Sequence, residues 1–239
     1  MSWYEKNIEL LAHVSKWLPE RYPSVKVEIL PERTSITPNF SLPHESVVAS
    51  GFWEIAPPSG NERLGYQLAM VFPEHFPNEA PIVVCTDENL PTHIDRHIMP
   101  NQRACLGTSQ DIYDRYAPNP TIENFCENIL EPFIAWQLYY AQHGKAPPWG
   151  ERSHGLAGEI EAFTDKIVEQ LRCPRERIFQ WIVKHKPKKH QSCPCGSQRQ
   201  FRFCHAKTLR SINAVRKYYR DTIRMCMALE KHGAIPVKV

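Results

Sequence analysis

The sequence predicts an α+β fold: an N-terminal helix, a four-stranded antiparallel meander, a long loop and C-terminal helices. Two observations lead to this prediction. Apolar residues recur at helical spacing over the first eighteen residues and then alternate at strand spacing as far as about residue 85. The strand candidates follow one another without intervening helices, and their links are rich in turn residues, which favours antiparallel neighbours.

The first element is an amphipathic helix over residues 3–18. Its apolar positions are Trp3, Leu10, Leu11, Val14 and Leu18. Strands are then predicted at residues 25–29, 46–55, 64–72 and 82–85, each a short run of alternating or continuous apolar residues. A Pro-Pro-Ser-Gly-Asn turn separates the second strand from the third, and a segment punctuated by prolines precedes the fourth.

Beyond the strands, residues 87–120 show little periodicity and are predicted to form a long loop, a feature that usually carries function. Helices are predicted over residues 121–140, capped by Thr121, and over about 159–171. A last helix is predicted over residues 206–232. Its apolar stripe is interpreted as packing against the same protein, with a partner or dimer surface as the alternative.

The net charge of +3 conceals a division of the chain. Residues 184–224 contain twelve Lys and Arg against one Asp, a net charge of +11, whereas residues 1–183 contain 15 basic and 24 acidic residues, a net charge of −9. An exposed basic connector is predicted at 184–190. We therefore divide the chain into a domain over 1–165 and a basic C-terminal region over 166–239.

Eight cysteines are present, and three of them crowd into one short segment. Cys85, Cys126, Cys173 and Cys226 stand among apolar residues and are interpreted as buried structural thiols. No stretch approaches the roughly 18 apolar residues of a membrane span, and the N-terminus contains acids and does not read as a secretory signal. These features predict a cytoplasmic protein without membrane contact, in which cysteines stay reduced.

The crowded segment predicts a metal site. Cys193, Cys195, Cys204 and His205 supply three thiolates and one imidazole within thirteen residues, a closed tetrahedral set typical of structural Zn²⁺. Gly196 permits the tight turn that such a site needs. The segment, over about 190–206, resembles the SEC-C motif, a small zinc module appended to many bacterial proteins.

Four segments in the first 165 residues share an order and spacing with one enzyme family. They are YQLAMVFP at 66–73, FPNEAP at 76–81, DRHIMPNQRACL at 95–106 and PWGERSHG at 148–155. Together with the helix and meander, this part of the chain resembles the ubiquitin-conjugating (UBC) enzymes, and the last segment is similar to bacterial members. The resemblance implies a UBC-like fold with residues 95–106 as its active-site loop.

The resemblance also implies a thioester on Cys105, because these enzymes carry an acyl group on a loop cysteine. The chain departs from the family pattern in one respect. Eukaryotic members have an asparagine eight residues before the cysteine, thought to stabilise an oxyanion, and His97 stands there. His97 is expected either to assist catalysis, as a hydrogen-bond donor or base, or to pin the loop. Asn101 is the nearby alternative, or it shapes the turn after Pro100.

Stand-alone enzymes of this appearance resemble those encoded in short type II CBASS antiphage operons. This resemblance implies a partner protein, a cGAS-like nucleotidyltransferase, whose C-terminus is linked to targets and whose signalling is thereby regulated. One alternative keeps the chemistry with a bacterial ubiquitin-like modifier. Another is a non-catalytic adaptor, because Arg199, Arg202 and Lys207 interleave with Phe201 and Phe203 as in nucleic-acid-binding segments. An acidic protein would suit the same basic residues.

Overall fold

The computed structural model describes residues 2–55, 64–148, 152–153, 155, 158–159, 161–162, 165, 168–169, 172, 188–193 and 195–206. The chain divides into two compact units, one made of residues 1–107 and 111–151 and the other of residues 108–110 and 152–239. The boundary placed after residue 165 from the sequence stays a prediction, because most of the residues around it lie outside the described part.

The N-terminal helical segment consists of two helices, α1 (Trp3–Lys6) and α2 (Ile8–Arg21). Asn7 separates them, and its side-chain oxygen accepts a 3.0 Å hydrogen bond from the backbone N–H of Leu10. The predicted single helix is therefore interrupted by a residue that caps the second one, as asparagine commonly does.

The central sheet is antiparallel and four-stranded, which confirms the predicted meander. Its strands, in spatial order, are β1 (Lys26–Leu30), β4 (Ser46–Ile55), β5 (Leu64–Val71) and β6 (Ile82–Cys85). A separate small hairpin, β2 (Ser35–Thr37) and β3 (Phe40–Ser41), lies between β1 and β4 in the chain. These two strands were not predicted, because three and two residues are too few to show an alternating pattern.

Side-chain alternation gives the sheet two buried faces. On β4, Val47 and Ala49 belong to the main core together with the helices, while Val48 belongs to a second cluster on the opposite face. The second cluster includes Leu42 next to the small hairpin and Val84 of β6. The sheet is thus packed on both faces, and its edge strand β6 lies next to the candidate active-site loop.

The predicted helix over 121–140 is present as three consecutive segments. They are α4 (Ile122–Phe125), a π-helical turn (Cys126–Leu130) and α5 (Glu131–His143). Thr121 caps the first, since its hydroxyl oxygen accepts a hydrogen bond from the backbone N–H of Asn124. Helix α3 (Ser109–Tyr116) lies within the segment predicted as a loop. Its apolar face consists of Tyr116, which is buried, and Ile112, which packs partly against the core, too short a pattern to be distinctive in the sequence.

The C-terminal predictions are only partly covered by the structure. The described residues among 158–169 are helical, in agreement with the helix predicted over about 159–171. The last predicted helix, 206–232, lies outside the described residues except for Ala206, and Cys173 and Cys226 lie outside them as well. None of the helices in the described part is long and apolar enough to cross a membrane.

Candidate active site and metal centre

The predicted active-site loop folds as a hairpin, residues 97–105, which follows a 3₁₀ turn at Ile94–Arg96. His97 ends that turn with a left-handed backbone, φ +51°. Ile98 and Ala104 form an antiparallel bridge, and the backbone N–H of Cys105 donates a 2.7 Å hydrogen bond to the carbonyl oxygen of His97. The hairpin therefore places the two predicted site residues next to each other at its open end.

This hairpin is attached to the edge of the central sheet. The backbone N–H of Ala104 donates to the carbonyl of Val83, and that of Cys85 donates to the carbonyl of Gln102, both at 2.8 Å. Arg103 and Val84 form a further antiparallel bridge. Residues 102–104, which lead to Cys105, are consequently held against β6 by sheet hydrogen bonds, and Cys105 follows directly after them.

Asn101 lies at the tip of the hairpin, at the end away from Cys105. Its side-chain oxygen accepts a 3.3 Å hydrogen bond from the backbone N–H of Arg103, and its side chain is exposed. The backbone N–H of Gln102 donates to the carbonyl of Met99 and closes the turn. This geometry supports the interpretation of Asn101 as a turn residue.

The imidazole of His97 packs against Trp136 of helix α5. The edge of one ring meets the face of the other, with the imidazole and Trp136 ring centroids 4.7 Å apart and their planes at 85°. Trp136 in turn stacks on Tyr140, at 5.3 Å between centroids. Aromatic packing of this kind restricts the rotation of a side chain. The left-handed backbone and the ring contact both act to fix the position of His97.

A second contact between the turn and α5 was not predicted from the sequence. The Arg96 side chain donates from Nε to Gln137 Oε1 (3.0 Å), and Gln137 donates from Nε2 to the Arg96 carbonyl (2.6 Å). Gln137 is 0% exposed, and the Arg96 guanidinium lies 4.6 Å from the Tyr140 ring. The sequence offered one signal for this contact, since Gln137 is a polar residue within the otherwise apolar or aromatic run 132–141 of α5.

The thiols of this unit differ in accessibility. Cys85 and Cys126 are buried, as predicted, and burial raises the pKa of Cys85 to about 12 and that of Cys126 well above its usual value. Such thiols are poor nucleophiles because the thiolate is scarce. Cys105, by contrast, is only half-buried. Two residues after it, Gly107 has φ +142°, a backbone conformation that favours glycine.

In the second unit, the predicted ligands lie on a small hairpin and the turn that follows it. The backbone N–H of Cys193 donates to the carbonyl of Arg199, and Ser192 forms a bridge with Gln200. Gly196 adopts φ +80° between these strands, as expected for the tight turn. A 3₁₀ turn at Phe201–Phe203 follows, and the last two predicted ligands, Cys204 and His205, come directly after it.

The four ligand atoms all lie within 4.8 Å of one another. His205 Nδ1 is 3.3 Å from Cys193 Sγ and 3.2 Å from Cys204 Sγ, and Cys204 Sγ is 3.5 Å from Cys195 Sγ. Bonds of about 2.3 Å to sulfur and 2.0–2.1 Å to nitrogen place tetrahedral ligands roughly 3.5–3.8 Å apart. The three separations just given lie within about 0.4 Å of these values, so the cluster is compatible with a tetrahedral ion.

The environment of the cluster favours one thiolate even without an ion. Desolvation opposes ionisation of Cys195, but hydrogen bonding with the hydroxyl and backbone N–H of Ser197, and with the neighbouring thiols, lowers its pKa to about 6. Burial raises the pKa of Cys193 instead. Metals bind the thiolate form of cysteine, and of these two thiols Cys195 ionises more readily.

Comparison with known proteins gives partial matches. A 65-residue segment, 27% of this chain, is 42% identical to ubiquitin-conjugating enzyme 15 of Arabidopsis thaliana. It is 37% identical, over the same length, to the probable ubiquitin-conjugating enzymes E2 16 and E2 17 of that plant. The match spans 37% of each relative. No family model and no solved structure matches the chain. This partial similarity supports a UBC-like fold.

Proposed function

We propose that this protein is a ubiquitin-conjugating-like acyltransferase in which Cys105 forms a thioester with the C-terminus of a partner protein. The observation that supports this most strongly is the hairpin that joins Cys105 to His97 by a backbone hydrogen bond at the sheet edge. The partial similarity to plant ubiquitin-conjugating enzymes supports the same reaction class.

In the proposed reaction, the Cys105 thiolate attacks the partner's C-terminal carbonyl after another protein has activated it. The new C–S bond replaces the bond to the activating group, which departs with the electron pair. An acceptor amine then attacks the thioester carbonyl, loses a proton, and releases the Cys105 thiolate. The His97 imidazole is proposed to donate a hydrogen bond to the oxyanion formed in these steps.

Cys193, Cys195, Cys204 and His205 are proposed to hold a structural Zn²⁺. Three thiolates and one imidazole complete a tetrahedral coordination sphere, so no position stays open for a substrate. The ion would supply folding free energy to a segment too short to form an apolar core of its own. Thiolate ligation and thioester chemistry both need reduced cysteines, which is our reason for proposing a cytoplasmic protein.

The partner that we propose is a cGAS-like nucleotidyltransferase, with regulation of antiphage defence as the outcome. This proposal depends on the resemblance to enzymes of short type II CBASS operons. Conjugation of a bacterial ubiquitin-like modifier would use the same cysteine. The two are distinguished by which neighbouring gene product is linked to Cys105.

The test is co-expression of the chain with its neighbouring gene products, followed by intact-protein mass measurement without reducing agent. We expect a species that is heavier than the free chain by about the mass of the partner. Hydroxylamine should release the partner from it, and Cys105→Ala should abolish it. Cys85→Ala, which removes a buried thiol, should leave the adduct intact. If the linked protein is a nucleotidyltransferase, the CBASS assignment is supported. If it is a ubiquitin-like protein, the proposed partner is wrong but the thioester mechanism at Cys105 stands. An adduct that persists in Cys105→Ala contradicts the mechanism.

A further inference from the structure

The two phenylalanines of the metal-binding hairpin and turn have opposite environments. Phe201 is 5% exposed and packs inside the module, whereas Phe203 is 63% exposed. A buried aromatic is expected beneath a small metal site, where little other apolar surface exists. A largely exposed phenylalanine two residues away has no such buried role, and beside basic side chains its ring is available for a base to stack on.

One cation lies directly against the exposed ring. The guanidinium of Arg202 lies 4.5 Å from the centroid of Phe203, and its Nε donates to Gln200 Oε1 at 2.9 Å, which holds the side chain in place. The backbone N–H of Arg202 donates to the carbonyl of Lys189. This bond brings the backbone of the turn next to that of the exposed pair Lys188 and Lys189, and we call the exposed cations of this segment, together with Phe203, the basic surface.

The charge of this surface is one-sided. Residues 188–206 contain four Lys and Arg and no Asp or Glu. The four are Lys188, Lys189, Arg199 and Arg202, all exposed. With no acid in the segment itself, these charges favour an external polyanion.

We infer that this surface, Lys188, Lys189, Arg199, Arg202 and Phe203, binds single-stranded nucleic acid. Basic side chains that follow a phosphate backbone, together with an aromatic ring on which a base stacks, are the two elements of such sites. Arginine beside the ring adds a planar cation that itself stacks on bases. An acidic protein would match the charges, but it gives no role to the exposed ring of Phe203. This binding function is separate from the thioester chemistry proposed for Cys105.

The test is fluorescence anisotropy with the zinc-loaded full chain and labelled 20-nucleotide oligo-dT and oligo-U. We expect binding that weakens with salt, and a loss of about 5- to 150-fold in affinity for Phe203→Ala, the range for removing one stacked base. Phe203→Trp should keep the affinity, because it preserves a stacking surface. Arg202→Gln should make the log–log salt slope shallower by about 0.7. Comparison of the two oligonucleotides shows whether DNA or RNA is preferred.

Matched controls lie in the first unit. Tyr113→Ala removes an aromatic that is similarly exposed, and Arg33→Gln removes a similarly exposed arginine; neither should alter binding. Zinc content and circular dichroism of each variant establish that the fold is intact. The inference is overturned if the wild type does not bind the oligonucleotides, or if Phe203→Ala binds them as tightly as the wild type does. It is also overturned if poly-glutamate competes for the chain as effectively as unlabelled oligo-dT does. Cys105→Ala should bind normally, so this result is independent of the conjugation proposal.

Discussion

The backbone N–H of Cys105 donates a 2.7 Å hydrogen bond to the carbonyl oxygen of His97, so two residues eight apart in the chain are adjacent across the hairpin. Because the bond joins backbone atoms, replacing either side chain leaves it in place. Substitutions at these positions therefore test the chemistry of the side chains more directly than the fold of the hairpin.

The first prediction concerns His97. His97→Ala should slow aminolysis of the Cys105 thioester by about 100- to 1000-fold, the usual loss when an oxyanion donor is removed. His97→Asn should retain most of the rate, because an asparagine side chain also donates and tolerates the left-handed backbone found here. Single-turnover transfer to a small amine measures both. If Ala and Asn are equally slow while urea denaturation shows equal stability, His97 does not act as a donor.

Asn101 provides the complementary prediction. Asn101→Asp keeps the oxygen that accepts the Arg103 N–H, so the turn and the transfer rate should remain within about twofold of the wild type. An aspartate cannot donate a hydrogen bond to an oxyanion, and the same single-turnover assay therefore separates the two roles. A large loss of rate in Asn101→Asp, with unchanged thermal stability, would show that the catalytic amide is at Asn101 and not the imidazole at His97.

The Arg96–Gln137 pair should be important for stability and for the active-site turn. Gln137→Leu fills a similar volume but leaves the carbonyl and the guanidinium of half-buried Arg96 without their Gln137 partner, which should lower the free energy of unfolding by about 1–3 kcal/mol. Urea denaturation measures this change. Gln67→Leu, at an exposed position of β5, is the matched control and should change stability by less than about 0.5 kcal/mol. Equal effects of the two substitutions would contradict the role given to Gln137.

Metal content is the fourth prediction. The purified chain should contain one Zn²⁺ per molecule, and Cys195→Ala or Cys204→Ala should lower this well below one. Cys85→Ala, outside the cluster, should keep full occupancy. Elemental analysis after gel filtration provides the measurement. Full zinc content in both cluster variants would mean that the ion is bound elsewhere.

Features marked by a local pattern were predicted correctly. The strands at 46–55 and 82–85 were predicted with the bounds that the structure gives, because apolar-rich runs bounded by turn residues are distinctive. The cluster of Cys193, Cys195, Cys204 and His205 also follows from local spacing, since all four ligands lie within thirteen residues.

Other features depend on contacts that local sequence does not record. The hairpin β2–β3 is too short for a periodic signal, and α3 buries mainly Tyr116, so neither was predicted. The Arg96–Gln137 pair joins residues 41 positions apart, and the opposite environments of Phe201 and Phe203 arise from the direction of a single 3₁₀ turn. These contacts and side-chain environments depend on the tertiary structure, so they cannot be predicted from the periodicity and spacing of residues along the chain.

The central claim is that Cys105 carries the acyl group. The most direct measurement is the intact mass of the chain purified without reducing agent from cells that also express its neighbouring genes. The account predicts an adduct on the wild type that hydroxylamine removes, its absence from Cys105→Ala, and its persistence in Cys85→Ala. An adduct of the same mass on Cys105→Ala, or no adduct on the wild type, would contradict it.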